Sequence, residues 1–223
     1  MSEDGKIAVL EQSPRKASRA LRRQQFIEAT IATLARNGYA RTTLTEVAAT
    51  AGLSHGLIIF HFETKESLLT ETLVFLAREY RDNWMQAIAT APQNPAAQLE
   101  ALIRADFLET ICNPERLGAW SALWGEVQSR PIYQEHGLAF DLEYAETVER
   151  LCRELIAEGS YAFDADAVAR VIRVSLEGLW FDLMGATRPY PIDAVLSSMF
   201  QLAMAFFPQH FGRQGALERP ASV

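Results

Sequence analysis

Between Thr43 and Phe62 the sequence holds two short helical segments separated by one glycine, and this pairing constrains the fold more than any other feature of the chain. Thr43-Leu44-Thr45-Glu46 has the form of a capping box, in which a threonine hydroxyl and a glutamate three residues later satisfy exposed backbone donors. The helix this predicts runs to about Thr50 and buries Leu44, Val47, Ala48 and Ala51. Gly52 ends it, and Ser54 caps a second helix from His55 to about His61. Small residues (Ala48, Ala49, Ala51, Gly52) permit close approach, while Val47, Leu53 and Ile58 form an apolar wedge. Two helices packed across such a turn make a helix-turn-helix.

In that motif the second helix enters the major groove with its first residues near base edges. Ser54, His55 and Leu57 are the candidate readers, and Gly56 lets the backbone approach the DNA. Thr42 and Thr43 lie where free N–H groups of the preceding helix favour a phosphate, and His61 and Lys65 sit at the far edge. Such contacts position the protein without reading sequence. Charge distribution agrees with an anionic partner. The chain carries −7 overall, yet Ser13 to Lys65 holds eight basic residues against three acidic ones, a local +5 on an acidic body. The cluster Arg15–Arg23 could serve an arm reaching into a minor groove, or be a solvated helix start.

The rest of the chain reads as helix. A first helix starts near Ala17, buries Ile27, Ile31 and Leu34, and ends at Asn37-Gly38. Thr64 caps a long helix through Leu68, Leu69, Leu73 and Leu76 to about Ala91. Further segments span about 96–111, 115–129, 131–158, 164–186 and 192–207, broken at Pro92-Gln93-Asn94-Pro95, Asn113-Pro114, Arg130-Pro131, Gly159-Ser160 and Arg188-Pro189-Tyr190-Pro191. No stretch alternates as a strand does. The expectation is an all-α protein of about nine helices: a flexible arm over 1–16, a three-helix DNA-binding unit over 17–65, an effector-binding and dimerisation body over 66–211, and a frayed tail over 212–223.

Several classes are disfavoured. The amino terminus lacks a charged start followed by an apolar core, so it is not a signal peptide. The apolar stretch 192–207 is short and interrupted by polar residues, below what a membrane span needs. A cytoplasmic protein is expected. Cys112 and Cys152 have no ligand-like spacing and read as spectator thiols. The four histidines show no HExxH, and GxSxG and P-loop motifs are missing. No catalytic residue, metal or cofactor is expected.

In the body, Trp120 and Trp124 are four apart and share a helix face. Phe107, Tyr133, Phe140, Tyr144, Trp180 and Phe181 could join them, with Glu126, Glu177 or Asp182 supplying charge. Aromatic faces with a carboxylate suit a cation, in particular a quaternary ammonium, at roughly 0.5–2 kcal/mol per ring. The alternative is that these rings fill core volume.

Gly38 to Ala48, Ala51-Gly52-Leu53-Ser54-His55-Gly56, and Phe60-His61-Phe62-Glu63-Thr64-Lys65-Glu66-Ser67-Leu68-Leu69 together resemble the TetR-family DNA-binding domain, over about fifty residues from Gln24 to about Leu73. The resemblance puts Ile59-Phe60 where the family often carries tyrosines, so Phe60 would face DNA without a phenolic hydroxyl for a phosphate. Asp106 to Thr110, Ala119 to Trp124, Arg130-Pro131 and Glu177 to Trp180 are similar to the BetI-like subgroup of choline and glycine betaine pathway repressors, and that likeness extends through Phe211. It implies a homodimer whose last two long helices pair with their mates. Val174, Leu179, Val195, Met199, Leu202 and Phe206 could supply that seam, or belong to the intramolecular core. The implied function is a repressor released from a palindromic operator by a small-molecule effector. A non-sensing architectural DNA-binding protein is the alternative.

Overall fold

The computed structural model describes residues 14–125, 131–185 and 191–218. Ten helices and one small hairpin make up these residues: α1 Pro14–Arg41, α2 Leu44–Thr50, α3 His55–Phe62, α4 Lys65–Thr90, α5 Pro95–Ala105, α6 Pro114–Trp124, α7 Pro131–His136, α8 Leu138–Gly159, α9 Ala165–Gly185, α10 Ile192–Phe206, then β1 Phe211–Gly212 and β2 Gly215–Ala216.

The helix starts follow the capping chemistry of the sequence. Glu46 N–H donates to Thr43 Oγ1 at 3.2 Å, Leu57 N–H to Ser54 Oγ at 3.3 Å, and Ser67 N–H to Thr64 Oγ1 at 3.1 Å. Each satisfies one donor that the first turn leaves without an intrahelical acceptor. Asn94 and Asn113 do the same for α5 and α6, each followed by proline, whose missing N–H costs nothing in a first turn.

Several boundaries differ from expectation. The first helix begins at Pro14, before the expected Ala17, and continues past Gly38 to Arg41 with a kink at Gly38 (φ 73°, ψ 172°). The segment expected as one helix over 131–158 is two, parted at Gly137. α5 stops at Ala105, so Asp106 lies beyond its end rather than mid-helix. The expected tail is ordered through Glu218. Ala216 N–H donates to Glu100 Oε2 at 2.7 Å, and Arg104 Nη2 donates to the Gln214 carbonyl at 3.0 Å, tying the hairpin to α5. Most of the expected arm, and the carboxy-terminal end of the segment expected over 115–129, lie outside the described residues.

One continuous apolar core runs through both parts of the chain, from Phe26, Ile31 and Val47 in the amino-terminal unit to Leu102, Val148 and Phe207 in the body. The two parts are joined by more than α4. α6 lies along α1, and a Cβ on Gly118 would stand 2.9 Å from both Cα and Cβ of Ala35. Arg116, two residues before Gly118, bridges Glu28 of α1 at 2.9 Å and Glu79 of α4 at 2.9 Å. Among the described residues no helix is long and apolar enough to cross a membrane.

Candidate effector pocket and DNA-facing surface

α2 and α3 meet across Gly52, whose φ of 65° is the left-handed conformation that glycine adopts without steric cost. Ile58 and Val47 are fully buried between them. Ser54, His55 and Gly56 are exposed at the start of α3, and a Cβ on Gly56 would meet nothing within 4 Å. His55 Nδ1 lies 3.4 Å from Thr45 Oγ1, so the two short helices present neighbouring polar groups. Leu57 is half-buried, packed on the core. Phe60 is 68% exposed with the Arg19 guanidinium 5.7 Å from its ring centre.

Three residues expected to contact phosphate are engaged within the unit. Thr42 is buried, and its hydroxyl donates to the Gly38 carbonyl at 2.8 Å, so only Thr43 of that pair is exposed. His61 points inward, its ring 5.8 Å from that of Phe26 and 5.4 Å from that of Phe60, with Nδ1 buried and without a hydrogen-bond partner. Desolvation, then the charges of Arg23 and Arg19, lower its pKa and so favour the neutral ring. Lys65 donates to the carbonyls of Tyr39 (2.8 Å) and Ala40 (3.4 Å), so its ammonium braces the turn that follows the α1 kink. Arg23 is engaged internally as well, with Glu71 and with the His61 carbonyl.

In the body, four helices and one loop close around a cavity of about 400 Å³. α4 contributes Tyr80; the residue after α5 contributes Asp106; α6 contributes Trp120 and Trp124; α8 contributes Leu138, Asp141 and Tyr144; and α9 contributes Arg173, Leu176, Glu177, Trp180 and Phe181. Asp106 sits at its base, 1% exposed. Its Oδ1 accepts from Tyr80 Oη at 2.9 Å and its Oδ2 from Tyr144 Oη at 3.1 Å. Trp180 Nε1 donates to the Asp106 main-chain carbonyl at 3.1 Å.

The rings form a continuous wall. Tyr80 lies 5.4 Å from Tyr144 and 5.5 Å from Trp180, Trp124 is stacked on Trp180 at 6.2 Å, and Trp120 and Phe181 flank Trp124 at 5.6 and 5.5 Å. Burial raises the Asp106 pKa from 3.8 to about 7, against the pull of the two tyrosine hydrogen bonds. Desolvation also raises that of Glu177 at the rim, opposed by the charge of Arg173. A cation entering this wall would meet ring faces and a carboxylate that becomes charged in its presence. Among the described residues no group of histidine, cysteine or acidic side chains has the arrangement of a metal site. Both cysteines are free thiols, with burial pushing Cys112 up to about 11 and Cys152 to about 12.

The sequence reading brought six of its seven pocket candidates to one place: Trp120, Trp124, Tyr144, Glu177, Trp180 and Phe181 all line the cavity. Phe107 does not; it follows the αR cap residue Asp106 at the end of α5 and is buried in the core. Phe140 packs on the core, and Glu126 and the Tyr133 side chain lie outside the described residues. Tyr80, Asp106, Asp141 and Arg173 were missed. The sequence signal for Asp106 was an acidic residue flanked by Ala105 and Phe107, and for Arg173 its spacing of four from Glu177.

The dimer-seam candidates divide. Val174 is exposed and Leu179, Leu202 and Phe206 are half-buried, but Val195 and Met199 are fully covered within one chain and supply no seam. They lie on the face of α10 that packs inward. The large apolar side chains exposed on α9 are Val171, Val174, Phe181 and Met184.

Comparison with known proteins agrees with this architecture. Residues 26–72 match the family described as bacterial regulatory proteins, tetR family, and residues 95–207 match that described as BetI-type transcriptional repressor, C-terminal. The HTH-type transcriptional regulator BetI of Paraburkholderia xenovorans is 30% identical over 183 residues, covering 81% of this chain and 89% of that protein. Its namesake in Escherichia coli K12 is 27% identical over 199 residues, 88% and 97% of the two chains. Among solved structures, a putative transcriptional regulator from Pseudomonas aeruginosa PAO1 superposes with a TM-score of 0.76 at 27% identity, over 89% of this chain and 97% of that one. A putative regulator from Saccharomonospora viridis, solved in complex with choline, shares the fold at a TM-score of 0.71 and 19% identity, over 82% and 95%. The chain is a TetR-family, DNA-binding transcriptional regulator with a BetI-type carboxy-terminal body.

Proposed function

We propose that this regulator is a homodimeric repressor that occupies a palindromic operator and leaves it when a cationic effector, a quaternary ammonium in particular, fills the pocket between α4, α6, α8 and α9. One observation carries the reading. Asp106, buried, holds Tyr80 and Tyr144 by its carboxylate and Trp180 by its carbonyl, so an acidic group and three aromatic rings converge on one cavity. The choline complex of the Saccharomonospora viridis relative supports the chemical class.

The α3 start reads bases through Ser54 and His55, with Gly56 close to the DNA and Leu57 wedging the helix against the core. Thr43 and the amino end of α2 grip phosphate, and Phe60 with Arg19 lines the flank of the same surface. Two heads are needed for two half-sites one helical turn apart, ~34–36 Å. The exposed α9 residues Val171, Val174 and Met184 support a seam between copies on that helix.

Release follows from differential affinity. The effector favours the conformer whose heads no longer match the half-site spacing. α6 is placed to transmit this, since Trp120 and Trp124 line the pocket while Gly118 and Arg116 on the same helix contact α1. A fluorescence-anisotropy titration with DNA upstream of the regulator's own gene tests the reading, with and without choline. Sequence-specific, salt-dependent binding that choline weakens supports it; specific binding indifferent to choline and related cations favours an architectural DNA-binding protein instead.

A further inference from the structure

Arg173 is out of keeping with a pocket that serves a simple cation. It lines the same cavity as Asp106, Asp141 and Glu177. Its Nε is buried and has no hydrogen-bond partner, and among the described residues its guanidinium closes no ion pair, although Glu177 lies one turn along the same helix. An arginine is charged at any physiological pH, so leaving its buried Nε–H unmet is costly. The charge of Arg173 favours the ionised form of Glu177, yet its Nε is left without an acceptor. The guanidinium therefore calls for an acceptor that arrives from outside the chain.

Spacing on α9 says where that acceptor sits. Positions 173, 176, 177, 180 and 181 share one face, so Arg173 is two turns from Trp180, roughly 10 Å along the axis at 1.5 Å per residue. Trp180 belongs to the aromatic wall that meets Asp106. The cavity thus has an aromatic end that holds Asp106 and, two helical turns away, the Arg173 guanidinium, with Glu177 between them on the same face. Its volume of about 400 Å³ is ordinary for a whole small molecule rather than an ammonium head alone.

We propose that the effector is a zwitterion, an ammonium compound whose cationic head occupies the Tyr80, Trp180 and Asp106 end and whose carboxylate is held by Arg173. This rests on the cation-pocket reading above and narrows it. A guanidinium fork matches a carboxylate by two parallel N–H···O bonds, which gives orientation as well as affinity.

The test uses intrinsic tryptophan fluorescence and calorimetry on the full-length protein with four probes: tetramethylammonium, choline, 4-(trimethylammonio)butanoate and the methyl ester of that acid. The ester keeps head and chain and removes only the negative charge. The acid is expected to bind tighter than its ester by about tenfold or more, the worth of a charge-assisted hydrogen bond. Arg173→Gln should erase that preference without weakening tetramethylammonium binding, because it removes a like charge from the wall. Equal affinity of acid and ester for the wild type overturns the proposal without needing any variant, as does a variant that weakens every probe alike. If choline and tetramethylammonium bind while the acid does not, the zwitterion fails and the cation pocket stands; if no ammonium probe binds, both fail.

Discussion

The indole N–H of Trp180 donates to the main-chain carbonyl of Asp106 at 3.1 Å, joining α9 to the residue that follows α5. The same residue's carboxylate takes a hydroxyl from α4 and another from α8. Through one aspartate, three helices and a loop are registered to each other around the cavity.

That arrangement makes effector binding pH-dependent. The Asp106 carboxyl, with its pKa raised to about 7 by burial, is largely protonated in the empty protein below neutrality and ionised above it. A cation prefers the ionised form, so its affinity should rise with pH up to and just past 7 and then level off, with about tenfold per unit as the ceiling on the acid side. Asp106→Asn should flatten the profile and weaken cation binding at pH 8. Calorimetry in buffers of different ionisation enthalpy checks this, because binding near pH 7 should release protons. Stability of the empty protein carries the opposite slope. The folded state holds a proton that the unfolded state loses above its carboxyl pKa of 3.8, so this group's contribution falls as pH rises from about 4 to about 7 and is flat thereafter.

Contact between the DNA-binding unit and the body predicts a separable defect. Gly118→Val places a branched side chain where Ala35 backbone and side-chain atoms stand 2.9 Å from a Cβ. Relieving this moves α6 off α1, at a cost of about 1–3 kcal/mol typical of overpacking. The expected outcome is a lowered Tm, near-normal effector affinity and a weaker effect of effector on operator binding, read by anisotropy at matched protein concentrations.

Removing the Arg116 clamp acts on the same junction by charge. Its guanidinium donates to Glu28 and Glu79, and it is half-buried. Arg116→Met keeps the stem and removes the bridge, leaving two carboxylates facing each other. A loss of about 1.5–3 kcal/mol is expected in urea unfolding.

On the DNA side, His55→Ala should lower operator affinity by about 1–3 kcal/mol if the histidine meets a base edge, without change in Tm, because the side chain is exposed. Thr42→Val should do little to the salt dependence of binding, since the hydroxyl is spent on the Gly38 carbonyl. A Thr43→Val variant should reduce affinity for operator and non-specific DNA alike. Parallel titrations on both DNAs separate the three.

The amino-terminal unit was legible in the sequence because its signals are local. Thr43, Ser54 and Thr64 act within three residues of themselves, and Gly52 declares its turn by its own φ. Spacing also put Trp120 and Trp124 on one face, and Trp180 and Phe181 entered as aromatic candidates. What spacing could not give was direction across the fold. Asp106 and Phe107 are adjacent at the end of α5, yet one carboxylate lines the pocket and the next ring joins the core. Val195 and Met199 share an apolar stripe that serves the chain's own interior, and a stripe of this kind looks the same whether it faces inward or toward a second copy. His61 and Lys65, surface contacts by position in the motif, turn to satisfy the packing and carbonyls of their own unit.

The most direct test of the central claim is the anisotropy of labelled DNA from upstream of the regulator's gene, titrated with wild-type protein and then with tetramethylammonium, choline and 4-(trimethylammonio)butanoate. The account predicts specific, salt-sensitive binding to a palindrome by two copies of the chain, reversed by at least one of these ammonium compounds and not reversed in an Asp106→Asn variant. Tight specific binding that none of them disturbs, while each leaves tryptophan emission unchanged, would contradict it.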